Sequence, residues 1–254
     1  MQNRMIHSRD TDGWFPAAGS GHCLGKMDAM MKDENLMRPD DLAGEYLGLL
    51  LKGDRYGAGR LIMEAVEKGI PVRDIYLNVF QPSQHEVGRL WQHNEINVAQ
   101  EHYCTAATQM IMSQLYPYIF STEKNGRRLV ATCVGGELHE LGMRMVSDFF
   151  EMEGWDTYFL GANMPVESVI STIQELEPDL LAISTSMTFH ISRTREFIAQ
   201  IRDALGDRSI PILVGGRPFN VAPDLWRQVK ADGYAADAEH ALKTVDELLL
   251  QAGG

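Results

Sequence analysis

The apolar positions of this chain change their spacing partway along. From Asp40 to about Ser121 they recur at intervals of three and four: Leu42, Tyr46, Leu49 and Leu50; Ala58, Leu61, Ile62, Ala65 and Val66; Ile75 and Val79; then Ala99, Tyr103, Ala106, Ala107, Met110 and Ile111. That period is the mark of amphipathic helices. Breaks at Lys52-Gly53-Asp54, Gly69-Ile70-Pro71 and His93-Asn94-Glu95 divide the stretch into a helical bundle. After Glu123-Lys124-Asn125-Gly126 short apolar runs alternate with amphipathic segments. The runs predict strands over Leu129–Val134, Thr157–Leu160, Leu180–Ser184, Ile210–Val214 and Gly233–Ala235. Helices are predicted over Met143–Met152, Val166–Glu175, Thr194–Leu205, Pro223–Val229 and Ala238–Leu250. Five such units predict an α/β fold, a helical bundle cap followed by a flavodoxin/Rossmann-like five-stranded parallel sheet with its ligand outside the carboxyl ends of the strands.

Residues 1–38, including the Met-rich stretch from Met27 to Met37, hold no sustained period and read as a flexible N-terminal segment. The expected organisation is therefore 1–38 flexible, 39–122 helical cap and 127–252 sheet domain. At 254 residues, 44% hydrophobic and 23% charged, the chain can bury a real core. No apolar run reaches the ~20 residues of a membrane span. With no secretory signal pattern in Met1–Lys32, the expected location is the cytoplasm. Cys23, Cys104 and Cys133 are odd in number and lack C-x-x-C spacing, which argues for reduced thiols. A formal charge of −12 opposes direct binding to nucleic acid, which needs clustered Lys and Arg.

The candidate chemistry begins at "CVGGELHELG", Cys133 to Gly142, where a glycine-flanked loop carries a histidine straight after the first strand. A zinc protease would need His-Glu-x-x-His, but Met143 stands where the second histidine belongs. Phosphate and dinucleotide loops need Gly-Lys-Ser/Thr or Gly-x-Gly-x-x-Gly, and neither is present. What remains is Glu137-x-His139-x-x-Gly142, a single imidazole with a carboxylate beside it. The third strand closes on Ser184-Thr185-Ser186 and the fourth on Gly215-Gly216, so an imidazole, hydroxyls and bare backbone share one rim. Glycines there would let a flat ligand approach the backbone.

This set resembles the cobalamin-binding fold of methionine synthase and its relatives, whose signature is Asp-x-His-x-x-Gly, then Ser-x-Leu, then Gly-Gly, after a four-helix cap. The resemblance covers roughly residues 40 to 250, with Glu137 in place of Asp and Ser186 in place of Leu. It implies that His139 is the lower axial ligand to cobalt and that Glu137 bonds the far imidazole nitrogen, as carboxylates behind metal-bound histidines do. The cofactor's tail would insert between the Ser184 and Gly215 strand ends, with Leu138, Glu140, Gly142, Ser186, Gly216 and Tyr234 also against the cofactor. In the cap, Trp91 followed nine residues later by Glu101-His102 is similar to the Trp-x9-Glu-His motif of CarH-type light sensors. That likeness implies adenosylcobalamin, with the three residues around its adenosyl group. His85, His93, His190 and His240, with Cys104 and Cys133, read as ordinary structural residues.

Three functions compete. The first, favoured by the Trp91 motif, is a photosensory module that senses light through adenosylcobalamin. The second is a corrinoid methyl carrier for a methyltransferase system, and the third the cofactor subunit of a mutase. No nucleophile and base pair stands out, so the chain is not expected to be an enzyme by itself; as part of one it would be a methyltransferase's corrinoid subunit. Residues 1–38 carry no helix-turn-helix pattern, so a sensor would signal through a partner protein, a transcription factor or kinase. Assembly into a homo-oligomer is compatible with each.

Overall fold

The computed structural model describes residues 39–120, 122–206, 208 and 210–252. Residues 1–38, with Cys23 and the Met27–Met37 stretch, lie outside them. The chain divides into two compact units between Leu115 and Tyr116.

The first unit is helical: α1 Pro39–Leu51, α2 Arg55–Glu67, α3 Val72–Ile75, a π-turn Tyr76–Phe80 that runs on into α4 Gln81–Gln92, and α5 Val98–Gln114. Leu42, Tyr46 and Leu50 from α1, with Ala58, Ile62 and Ala65 from α2, are buried as their period predicts. Two features depart from the pattern. Helix α4 is too polar to announce itself; of its residues only Ser83 and Val87 are buried. Helix α5 turns Gln100, Cys104, Ala107, Thr108, Ile111 and Met112 inward, leaving Ala99, Ala106 and Met110 exposed. Apolarity misassigned that face because Gln100 and Thr108 are buried as hydrogen-bonded groups. Gln100 closes a capping box with Asn97, whose Oδ1 accepts from Gln100 N at 3.0 Å while Asn97 N donates to Gln100 Oε1 at 2.9 Å.

The second unit opens with the single turn α6 Tyr116–Ile119 and continues β1 Arg128–Cys133, α7 Leu141–Met152, β2 Asp156–Gly161, α8 Val166–Leu176 and β3 Leu180–Ser184. A 3₁₀ turn Thr188–His190 leads into α9 Ile191–Leu205. Then follow β4 Ile212–Gly215, α10 Arg217–Val221, α11 Leu225–Gln228, β5 Gly233–Ala235 and α12 Ala238–Ala252. All five strands are parallel, in the order β2-β1-β3-β4-β5. The order in which strands are added reverses between β1 and β3, the switch point where ligands of such sheets bind.

Alternation along the strands supplies two cores. Val130, Leu181, Ile183, Ile212 and Val214 face α8 and α9, meeting Val169, Ile173, Phe197 and Ile201. Leu129, Ala131, Cys133, Leu180, Ala182 and Leu213 face α7 and α12, meeting Met143, Phe150, Ala241 and Val245. The predicted helix at 143–152 starts earlier, at Leu141, so Gly142 lies in its first turn. Helix α10 falls where the sequence predicted no element, directly after the Gly215-Gly216 strand end; Pro218 is at home in its first turn.

Candidate functional site

Register aligns the ends of four strands. Cys133 pairs with Ser184, Ser184 with Gly215, and Gly215 with Ala235, so four small residues stand side by side at the carboxyl edge on the α7/α12 face. His139 lies in the loop between β1 and α7, above one end of this row.

The centre of the loop is Glu137, whose side chain is fully buried. Its Oε1 accepts from His139 N at 3.1 Å and from His139 Nδ1 at 2.5 Å. Its Oε2 accepts from Ser186 N at 2.8 Å, Met187 N at 3.0 Å and His190 Nδ1 at 3.2 Å. Burial by itself would raise the carboxyl's pKa. The hydrogen bonds from His139, His190 and Ser186 outweigh it and hold the group far below the usual carboxylate range. A charged Glu137 therefore fixes the imidazole of His139 with Nδ1–H inward, which leaves Nε2 as the nitrogen a metal would take. The His139 side chain is 53% exposed, so the ring is accessible.

The rest of the loop is held from the neighbouring strand ends. Asn163, just after β2, accepts from Gly136 N on Oδ1 at 2.7 Å and donates its own N–H to Glu137 O at 2.9 Å. Arg193 of α9 donates from Nη1 to Gly135 O at 2.8 Å. Glu140 turns to the end of β2, where Oε2 accepts from Ala162 N at 2.9 Å. Cys133 Sγ lies 3.8 Å from His139 O, and burial followed by the charges of Glu137 and Glu140 pushes its thiol up to about 12, so it stays a neutral donor.

The expected residues thus separate. Glu137, His139 and Ser186 meet, Ser186 through its backbone N–H. Leu138 projects from the loop, 71% exposed. A Cβ at Gly142 would meet nothing within 4 Å, so packing of the chain gives no reason for glycine there. Gly216 has a reason of its own: φ is +110°, and a Cβ would lie 2.1 Å from Thr185 O. Tyr234 pairs with Val214 and packs toward the α8/α9 core, its ring edge-on to His240 at 5.6 Å. Trp91, 38% exposed, ends α4, and Glu101 and His102 open α5 in the helical unit. Sequence reasoning missed three residues: His190, read as structural, Asn163 and Arg193. Only Asn163 carried a signal, its place directly after a strand end.

A corrinoid fits this arrangement on chemical grounds. Among the described residues no group of three or more His, Cys, Asp or Glu is placed to hold a metal ion. A single oriented imidazole suits a metal that brings its other ligands with it. The row of small strand-end residues and the open space at Gly142 offer a flat ligand the approach that larger side chains would close.

Comparison with known proteins bears on the same point. Residues 127–245 match the model of a B12 binding domain, and residues 42–116 match a second B12 binding domain model. Dimethylamine corrinoid protein 3 of Methanosarcina acetivorans is 26% identical over 198 residues, covering 74% of this chain and 90% of that protein. A corrinoid protein of Desulfitobacterium hafniense is 22% identical over 213 residues, 82% of this chain and 97% of the relative. The fold is that of the monomethylamine corrinoid protein of Methanosarcina barkeri, with a TM-score of 0.74 at 21% identity over 83% of this chain and all of that one. These relatives overturn the photosensory expectation, since likeness over about three quarters or more of this chain runs to corrinoid proteins, and they give no support to signalling to a transcription factor or kinase. The Trp-x9-Glu-His spacing misled because it tests three side chains, whereas the match covers both units. No helix among the described residues is long and apolar enough to cross a membrane.

Proposed function

We propose that this chain, whose residues 42–116 and 127–245 match two B12 binding domain models, is a corrinoid methyl carrier for a methyltransferase system. The observation that carries this reading is the buried carboxylate of Glu137 orienting His139 at the carboxyl end of β1. The names of the curated relatives support it. The cobalt of a bound corrinoid would supply the chemistry, carrying a methyl group from a donor substrate bound by one methyltransferase to an acceptor bound by another.

The chain's own residues hold and tune. His139 offers Nε2 as the lower ligand, and Glu137 keeps the Nδ1 proton inward and raises the basicity of the ring. Ser184 and Gly215 leave room at the strand ends for the cofactor's tail. Gly142 and Leu138 border the loop that faces it. On this reading the group carried is methyl in place of adenosyl, and Trp91, Glu101 and His102 remain an expectation of the sequence motif. The partners are methyltransferases.

Titration of the apoprotein with hydroxocobalamin and methylcobalamin, followed by visible absorption, tests the reading. Both should bind with the spectrum of an imidazole-ligated, base-off corrinoid, and His139→Ala should lose that spectrum. Failure to bind either, or strong selection for adenosylcobalamin over methylcobalamin, would overturn it.

A further inference from the structure

Six side chains of the helical unit form one hydrogen-bonded line from its core to its surface. Tyr46 of α1 and Thr108 of α5 are fully buried, with their hydroxyls 2.8 Å apart. Gln84 of α4 comes next, with Nε2 2.8 Å from Thr108 Oγ1 and Oε1 3.1 Å from Thr105 Oγ1. Thr105 Oγ1 is 3.0 Å from Glu101 Oε1. The other oxygen of Glu101 lies against Nδ1 of His102, whose side chain is 76% exposed.

Proton counting assigns a direction to this line. With Gln84 Nε2 facing Thr108, the single hydroxyl proton of Thr105 confronts two acceptors. Thr108 meanwhile accepts from Gln84, and only one of the Thr108 and Tyr46 protons can serve the contact between them. The two ends of a carboxamide have the same shape, so hydrogen-bond satisfaction decides which way it faces. Turned over, every contact carries one proton. Tyr46 donates to Thr108, Thr108 to Gln84 Oε1, Gln84 Nε2 to Thr105, and Thr105 to Glu101. Burial raises the Tyr46 phenol, which keeps it a neutral donor at the head of the chain. Such one-way chains strengthen each member in turn.

The far end explains an unusual contact. Adjacent residues on a helix point about 100° apart and do not normally face each other. Glu101 meets His102 because Thr105, one turn on, holds the carboxylate in place. With its Nδ1 proton on Glu101, His102 keeps its lone pair on Nε2, the reverse of the tautomer that imidazole prefers in water.

We propose that Gln84 is a positioning residue which, through Thr105 and Glu101, presents His102 Nε2 as an acceptor for a hydrogen-bond donor at the exposed face of α5. This tautomer does not rest on the proposed function.

The test uses the full-length apoprotein labelled with ¹⁵N-histidine, in alkaline buffer where the rings are neutral, with His102 assigned by loss of its signals in His102→Gln. Wild type should show protonated Nδ1 and bare Nε2, and Thr105→Ser should retain this. Thr105→Val, which removes the hydroxyl at equal size, and Gln84→Met, which removes the carboxamide at similar length without adding a charge, should each shift the ratio roughly two-fold or more toward Nε2–H. His93 signals, from the same helical unit, where Nδ1 lies 2.8 Å from Arg89 O, report that each variant remains folded. A wild-type His102 protonated at Nε2, or an unchanged ratio in both disrupting variants, overturns the proposal. Because no cofactor is present, failure of the corrinoid titration above leaves this outcome readable.

Discussion

His190 and His139 hang from opposite oxygens of one carboxylate: Glu137 Oε1 takes Nδ1 of His139 at 2.5 Å, and Oε2 takes Nδ1 of His190 at 3.2 Å. His190 is nearly buried, whereas His139 is half-exposed. The inner imidazole therefore helps aim the carboxylate that aims the outer one. His190→Ala should leave the chain folded and weaken corrinoid binding about 10-fold, within the range seen for groups behind a metal ligand. Spectral titration of hydroxocobalamin measures this; affinity equal to wild type would reduce His190 to a space-filling role.

Glu137 should matter for stability as well as binding. Glu137→Leu strips the acceptor from the Ser186 and Met187 N–H groups and from two imidazoles. Each buried donor left unpaired costs about 1–3 kcal/mol, so a loss of roughly 3 kcal/mol or more is expected in urea unfolding of the sheet unit. His139→Ala, at a half-exposed position, should abolish imidazole-ligated binding with a stability change of about 1 kcal/mol or less. Equal destabilisation by the two would mean that the loop does not depend on the buried carboxylate.

The sequence made the sheet legible because β1, β3 and β4 are buried on both faces and stand out as apolar runs between glycines and polar turns. The rim was legible for the same reason: Glu137, His139, Ser184 and Gly215 sit at the ends of strands whose positions were already known. His190, Asn163 and Arg193 were not, since Asn163 reaches the loop from the β2–α8 connection and His190 and Arg193 from the start of α9, and only the fold brings them together. In the cap, α4 and the inner face of α5 stayed hidden because Gln84, Gln100 and Thr108 pack as hydrogen-bonding groups that an apolar count passes over. Function was misjudged where a sparse motif was weighed above the two-unit architecture.

Cys104 offers a pH test away from the loop. It is fully buried on α5, and burial, reinforced by the charge of Glu101, pushes its thiol up to about 12. Only the thiolate reacts, so native protein at pH 8 should leave Cys104 unlabelled by iodoacetamide over hours, while urea should expose it to rapid labelling. Peptide mapping by mass spectrometry reads this residue separately from Cys23 and Cys133. Fast labelling in the native state would mean that α5 opens readily.

Two glycines at the same rim should behave in opposite ways. Gly216 is at φ +110°, and a methyl there would lie 2.1 Å from Thr185 O, whose own N–H bonds Gly215 O at 3.0 Å. Gly216→Ala must therefore distort the β3 and β4 ends and should cost at least about 2 kcal/mol even without cofactor. Gly142 is exposed in the first turn of α7, and a Cβ there meets nothing within 4 Å. Gly142→Ala should leave the apoprotein as stable or raise it by up to about 1 kcal/mol, since alanine suits a helix better. If a corrinoid lies against that turn, Gly142→Leu should nevertheless weaken its binding while the urea midpoint stays near wild type. Undiminished corrinoid affinity in Gly142→Leu would show that the cofactor does not approach α7, and the contact residues would then have to be sought along the Ser184 and Gly215 strand ends alone.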